Sequence, residues 1–281
     1  TDIIAVSCGG AHTAILKNDG TVLTFGKNDN GQLGVGDTTE RTSPTLIPNL
    51  TNIIAVSCGD KHSAILKNDG TVLTFGKHSE GQLGRYENNN NNRIPIKIPY
   101  ANVTNIIAVS CGENHTAILK NNGKVFTFGK NDVGQLGINS NSDKTIPTEI
   151  TTLQIVTSYL VTSYSTTTTS ATNIIAVSCG GSHTAILKNN GAVYTFGSNL
   201  DGRTGQFKIQ PPTIILDGTT NVPTEIRAVY HSEYKPRIKT SFKSEFTNNM
   251  TITNNNFSIK ETLNDNITTL NKSSLDIQKL Y

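Results

Sequence analysis

One stretch, NIIAVSCGxxHTAILKNxGxVxTFGK, returns four times in this chain and constrains its fold more than any other feature. It reads TDIIAVSCGGAHTAILKNDGTVLTFGK from Thr1 and NIIAVSCGDKHSAILKNDGTVLTFGK from Asn52. It reads NIIAVSCGENHTAILKNNGKVFTFGK from Asn105 and NIIAVSCGGSHTAILKNNGAVYTFGS from Asn173. Cys8, Cys58, Cys111 and Cys179 mark the same point in each copy, at intervals of 50, 53 and 68 residues. Self-similarity at a period of about fifty residues signals a repeat architecture, in which no unit buries its apolar surface without a neighbour. The bulk of the chain is therefore scaffold, and function is to be sought where the copies differ.

Each copy reads as strands. IIAVSC is a short, β-rich apolar run that stops at glycine, HTAILK follows, and Asn18-Asp19-Gly20 offers the positive-φ position of a tight hairpin turn. TVLTFGK is the returning strand, rich in β-branched and aromatic residues. A loop with GQLG comes next, at 31–34, 81–84 and 134–137, and a proline-led strand such as Pro44-Thr45-Leu46-Ile47 leads into the next copy. Four short strands per period, joined up and down and repeated radially, predict an all-β fold, a β-propeller whose blades pack face to face. The period alone also suits kelch or WD-type propellers, but the chain has no Trp and hence no WD dipeptide.

The succession of apolar strand, CGxxH, apolar strand, N-x-G, V-x-x-F-G and GQLG resembles the regulator of chromosome condensation repeat family over residues 1–206. The fourth copy carries Gly202-Arg203-Thr204-Gly205 in place of GQLG. The resemblance implies a propeller that typically closes seven blades. Here four clear blades start near 1, 52, 105 and 173. A degenerate fifth is expected at 221–246, where Pro223-Thr224-Glu225-Ile226 opens a proline-led strand, with an Asn/Thr-rich tail at 247–281, disordered or adding a closing strand. The family's founding member is a guanine nucleotide exchange factor for the small GTPase Ran, docked on nucleosomes, so the resemblance also implies a small GTPase as a candidate partner. The family's exchange residues do not map onto these copies, so beside a protein-interaction scaffold the resemblance leaves as the alternative an exchange-factor-like protein acting on a Ran-type GTPase, or a degenerate remnant of one.

The recurring chemistry reads as structural. Cys8 and His12, Cys58 and His62, Cys111 and His115, and Cys179 and His183 form a C-x3-H pair in every copy. A zinc site needs about four converging ligands and one copy supplies two, so packing is the expected role, with the histidine bonding backbone at a strand start and the thiol acting as a small hydrophobe. Gly20, Gly70, Gly123 and Gly191 sit at the turn, and Gly26, Gly76, Gly129 and Gly197 end the returning strand. Asp19 and Asp69 alternate with Asn122 and Asn190 at one position, which is turn chemistry rather than acid–base chemistry. Gly20 to Asn28 fails as a phosphate loop because its spacing is too long and no Ser or Thr follows Lys27. Ser7 near His12 lacks a recurring third partner. No catalytic, cofactor or metal residue is therefore assigned, and the chain is read as non-enzymatic.

Two insertions break the spacing: the Asn run 88–92 and the Thr/Ser-rich 151–172. The second carries enough apolar residues for a hairpin. Leu153, Ile155, Tyr159, Leu160 and Tyr164 are its candidate interaction residues, because extra segments on a repeat scaffold are where binding accumulates. Net charge is only +3, and the basic cluster Arg227, Lys235, Arg237, Lys239 and Lys243 is interleaved with Glu225, Glu233 and Glu245, so neither nucleic acid nor a nucleosome is the expected partner. No apolar run of about eighteen residues and no leader is visible, and no Met stands at position 1, which reads as a fragment or a processed form. Equivalent cysteines in stacked sheets lie about 10 Å apart, too far for a disulfide, which points to a reducing intracellular compartment, cytoplasmic or nuclear. Protein partners are the expectation, together with self-association if the blades stop short of a closed ring.

Overall fold

The inner strand of each copy begins at an Asn or Asp in the left-handed region: φ is +67° at Asp2, +62° at Asn52, +56° at Asn105 and +61° at Asn173. Asn and Asp tolerate that region better than other side-chain-bearing residues. In the computed structural model the residues described are 2–86, 91–160, 163–205, 207–210, 213–216 and 219–225. The chain divides into two units, Thr1–Ile226 and Arg227–Tyr281, and the second falls outside the described residues.

Each copy forms a four-stranded antiparallel blade in sequence order. Blade 1 comprises β1 (Ile3–Cys8), β2 (His12–Lys17), β3 (Val22–Gly26) and β4 (Arg41–Leu46). Blade 2 comprises β5 (Ile53–Cys58), β6 (His62–Lys67), β7 (Val72–Gly76) and the two-residue β8 (Ile96–Lys97). Blade 3 comprises β9 (Ile106–Cys111), β10 (His115–Lys120), β11 (Val125–Gly129) and β12 (Lys144–Glu149). A hairpin, β13 (Thr152–Leu160) and β14 (Ser163–Ser170), follows. Blade 4 then has β15 (Ile174–Cys179), β16 (His183–Lys188) and β17 (Val193–Ser198). A small hairpin, β18 (Phe207–Gln210) and β19 (Thr213–Leu216), leads to β20 (Thr219–Glu225).

β20 corrects the expected boundary of the fifth copy. It pairs antiparallel with β17, through Thr195↔Thr224 and Gly197↔Thr220, so the proline-led strand is the fourth strand of blade 4 rather than the start of a new blade. The physical reason is the order of the repeat itself, in which the proline-led strand closes a blade. Residues 226–246, the tail 247–281 and the basic cluster from Arg227 to Lys243 lie outside the described residues.

The turn between the second and third strands is closed by Gly20, where Gly20 N–H donates to Lys17 O (3.0 Å), Lys17 N–H donates to Thr21 O (3.0 Å) and φ is +76°. Each inner strand also carries a bulge. Ile3 pairs with Lys17 and Ala5 with Leu16, so Ile4 is the extra residue, and the same slip recurs in the other blades. The extra residue of a bulge is left out of the ladder, and in these blades its side chain faces outward. Ile4, Ile54, Ile107 and Ile175 are accordingly 57%, 52%, 52% and 55% exposed.

The core is divided among the gaps between blades. Ala14, Leu16 and Val22 of blade 1 pack on Ile53, Cys58, Ile65 and Phe75 of blade 2. Leu66 and Val72 pack on Ile106, Ile118 and Phe128, and Leu119 and Val125 pack on Ile174, Ile186 and Phe196. A blade between two neighbours therefore needs apolar side chains on both faces, which explains why HSAILK and HTAILK in blades 2 and 3 are buried along nearly their whole length.

Candidate functional site

The polar residues that recur in each copy converge on the seams between blades. His12 Nε2 lies 2.8 Å from Ser63 Oγ of the next blade, His62 Nε2 lies 2.9 Å from Thr116 Oγ1, and His115 Nε2 lies 2.8 Å from Thr184 Oγ1. Each hydroxyl in turn donates to a carbonyl of the GQLG loop in the blade before it: Ser63 to Gln32 O, Thr116 to Gln82 O and Thr184 to Gln135 O, all at 2.9 Å. A hydroxyl has one proton to give, so it accepts from the imidazole, which fixes the neutral tautomer with hydrogen on Nε2. The Nδ1 atoms of His12, His62 and His115 are then buried acceptors without a partner. Burial pushes the pKa of His12 down to about 4 and those of His62 and His115 to about 3. The expectation that these histidines bond backbone at a strand start is thus corrected. Their partner is a hydroxyl one blade away, because the ring projects off the sheet face and not along the strand.

The cysteines mark the same seams. Cys58 N–H donates to Ser7 Oγ (3.0 Å), Cys111 N–H to Ser57 Oγ and Cys179 N–H to Ser110 Oγ, both at 2.9 Å. Ser7 Oγ serves here as a seam acceptor. All four thiols are free. Burial raises the thiol pKa of Cys58 and Cys179 to about 11 and that of Cys111 further still, whereas Cys8 lies at the surface. A neutral alkylating reagent is therefore expected to modify Cys8 at least about tenfold faster than Cys58 or Cys111, since reactivity follows thiolate character and access. Peptide mapping after timed alkylation checks this, and equal rates would contradict the burial described.

Glycine positions complete the seam. Gly20 O accepts from Ile53 N–H (3.3 Å), Gly70 O from Ile106 N–H (3.3 Å) and Gly123 O from Ile174 N–H (3.2 Å). Gly26, Gly76, Gly129 and Gly197 have φ of +103°, +104°, +109° and +104°, where the chain passes close to the carbonyl before each histidine. The last glycine of the GQLG loop lies on a phenylalanine ring of the next blade: Gly34 on Phe75, Gly84 on Phe128 and Gly137 on Phe196. The glutamine of the loop holds its turn, since Gln32 Oε1 accepts from Asn30 N–H (2.8 Å) and Gln82 Oε1 from Glu80 N–H (2.9 Å).

Sequence reasoning missed the asparagine just after TFGK or TFGS. Asn28, Asn131 and Asn199 are essentially buried, and their Oδ1 atoms accept from the backbone N–H of Leu33, Leu136 and Thr204 at about 3.0 Å. Asn28 Nδ2 also donates to Asp37 O and Thr39 O, so one side chain stitches both arms of the loop. The signal was present, as Asn recurs at this point in three copies, with His78 in the remaining one.

The longer of the inserted hairpins among the described residues, β13–β14, pairs from Thr152↔Ser170 to Leu160↔Ser163 with one register shift between Val156 and Ser158. It lies along β20, with Gln154 parallel to Thr224, so it widens the fourth sheet to six strands in the order β14-β13-β20-β17-β16-β15. Leu153 is fully buried with Ile150, Ala171 and Ile174, and Ile155 packs against that cluster. These two side chains anchor the hairpin, which corrects their placement among the interaction candidates: the base of an insertion must be tied to the core to be held at all. Tyr159 and Tyr164 are cross-strand partners near the tip beside Leu160. Among the described residues no cluster of His, Cys, Asp or Glu is arranged to hold a metal, and no helix is long and apolar enough to cross a membrane.

The family model described as the RCC1-like domain matches residues 1–226. A human protein described as probable E3 ubiquitin-protein ligase HERC3 is 33% identical over 206 residues, covering 72% of this chain and 18% of that protein. The chain thus spans less than a fifth of the length of this curated relative. Among solved structures, human WBSCR16 superposes with a TM-score of 0.63 at 21% identity, over 80% of this chain and 53% of the other. Prp20p from Saccharomyces cerevisiae superposes with a TM-score of 0.63 at 19% identity, over 82% of this chain and 51% of the other.

Proposed function

The chain belongs to the RCC1-like domain family, and from that premise we propose that it works as a non-enzymatic scaffold for protein–protein interaction. The observation that carries this reading is the commitment of the repeated histidines, serines and GQLG loops to the seams. Groups that hold blades together are not available to transform a substrate, and what remains for recognition is the surface the repeat does not dictate. Among the described residues the hairpin β13–β14 is the largest such feature, anchored through Leu153 and with Tyr159, Leu160 and Tyr164 in the sequence near its tip. Tyrosine and leucine at the end of an anchored element suit a protein partner, since aromatic residues supply contact area at small entropic cost. The ligase activity in the name of HERC3 belongs to a protein of which this match covers under a fifth, and it is not carried over.

The test is site-specific photocrosslinking in extract from the source cells. A crosslinker at Tyr159 is expected to capture a discrete protein, while one at Asn190, an exposed turn residue, is not. Equal labelling from both positions, or turnover of a small molecule with no partner recovered, would overturn the scaffold reading.

A second reading makes the partner a small GTPase, with this chain acting as an exchange factor. It draws on the likeness to Prp20p, whose structure was described together with its binding to Gsp1p and histones. Release of a fluorescent guanine nucleotide from a Ran-type GTPase measures it directly. No acceleration at micromolar protein removes this reading and leaves the scaffold standing.

A further inference from the structure

Blade 2 departs from the other copies at two points, and both lie on one groove. The first is His78, which is exposed where Asn28, Asn131 and Asn199 are buried. The second is the short turn Asn91–Arg93, which sets Asn92 and Arg93 against Gly31 of blade 1. In the next two seams that place is held by Lys144 and Thr145 against Gly81, and by Thr220 and Asn221 against Gly134. The groove between the two loops has a volume of about 240 Å³. Asp29, Asn30 and Thr38 of blade 1 line it together with Lys77, His78 and Arg93 of blade 2.

Main-chain contacts hold its base. Asn92 Nδ2 donates to Asn30 O and to Gly76 O, both at 3.0 Å, and Gly36 N–H donates to Arg93 O (3.0 Å). Arg93 is thus placed across the seam by its backbone, without the use of its guanidinium. The carboxylates on and beside the groove are committed to other cations: Asp37 to Arg41 (2.6 Å) and Glu80 to Lys77 (3.3 Å). Asp29 has both oxygens engaged, Oδ2 by Lys27 and Oδ1 by the side-chain amides of Asn30 and Gln32. Arg41 and Arg203 each have an aspartate and a carbonyl as partners. Among the described residues the half-buried guanidinium of Arg93 has neither an ion pair nor a hydrogen bond.

We propose that this groove binds the phosphate of a phosphorylated serine or threonine in a protein partner, with Arg93 as its bidentate ligand and Lys77 and His78 beside it. A guanidinium presents paired N–H donors that match two phosphate oxygens. A phosphoryl group carries a charge of about −1.5 to −2 and three acceptor oxygens, so it engages the fork and further donors as well. A carboxylate, with one charge and two oxygens, would leave Lys77 and His78 unused. The groove is smaller than the roughly 300–1,000 Å³ that encloses a whole small ligand, so it suits one side chain projecting from a larger partner. The proposal rests on the scaffold reading and names the chemistry of one partner.

The probe is a fluorescein-labelled pool of short peptides with phosphoserine or phosphothreonine fixed at the centre and mixed residues elsewhere, titrated with the full chain by anisotropy. Pools with unphosphorylated serine or threonine, or with glutamate, at the centre are compared. The phosphorylated pool is expected to bind at least about tenfold more tightly than either. Arg93→Ala is expected to weaken it at least about tenfold, and Arg93→Lys, which keeps the charge but not the fork, at least about threefold. Lys124→Ala, at a cation in the turn between β10 and β11, is the control and is expected to bind like the parent. Tm of Arg93→Ala should stay within about 2 °C of the parent, so that lost affinity is not a lost fold. Equal binding of the pools, or phosphopeptide binding that survives Arg93→Ala, overturns the proposal. So does inorganic phosphate or a single-stranded oligonucleotide that binds as tightly as the phosphorylated pool, since the ligand would then be the free ion or a nucleic acid. Crosslinking from Tyr159 reads a different element, so failure here leaves the scaffold reading to its own test.

Discussion

Gly84→Ala is expected to destabilise the fold by about 3 kcal/mol, the sum of a left-handed backbone strained by a side chain and a methyl forced into a filled core. Gly84 has φ of +67°, and a Cβ built there would meet the Phe128 ring at 2.8 Å. The ring cannot retreat, because Phe128 is fully buried in the seam between blades 2 and 3. Gly36→Ala separates the two contributions. Gly36 has φ of +98° but only Ile94 Cγ2 near, at 3.9 Å, so it carries the backbone strain without the clash. Its expected cost is about 1 kcal/mol. Thermal unfolding reads both, with Tm falling by about 10 °C for Gly84→Ala and by about a third of that for Gly36→Ala. Equal shifts for the two variants would show that the loop glycine is there for its backbone alone.

Acid is expected to weaken the seams before it titrates the carboxylates. His12, His62 and His115 have folded pKa values of about 4, 3 and 3 against an ordinary value of 6.5, lowered by burial of rings whose Nδ1 atoms have no partner. Between those values the unfolded chain binds more protons than the folded one, so stability rises with pH in that interval. The contribution of the neutral histidines is fully present above pH 6.5 and is lost progressively as pH falls toward about 4 for His12 and about 3 for His62 and His115. Three protons correspond to a slope of up to about 4 kcal/mol per pH unit near pH 5. Asp19 and Asp29, held at about 2 chiefly by hydrogen bonds from Thr21 and Gln32, act below pH 4, at the acid end of the histidine window. Urea midpoints measured at pH 8, 6 and 5 check this. His62→Gln should remove about one proton from the slope. A midpoint that stays level from pH 7 to pH 5 would mean that the rings accept protons in place.

Local structure was largely legible because the repeat wrote each element four times. The turn at Asn18-Asp19-Gly20 followed from the glycine, and the proline-led strand from its place in the period. The histidine's partner was not legible. His12 and Ser63 lie on different copies, and no spacing within one copy states that its hydroxyl faces the ring of the blade before. Leu153 was misplaced for a related reason. An apolar residue in a Thr/Ser-rich insertion reads the same whether it anchors the segment or presents it, and only its packing with Ile150 and Ala171 separates the two.

By itself the sequence determined the strands, their order within a blade and the residue types that a seam requires, since hydrophobic period and turn chemistry are properties of neighbours along the chain. Which face of each strand is buried belongs to the tertiary structure. HTAILK is the same string in blades 1, 3 and 4, yet its alternate residues are buried in β2, nearly all of them in β10, and the opposite set in β16. A side chain leaves water only when another surface covers it, and that surface lies on the adjacent blade.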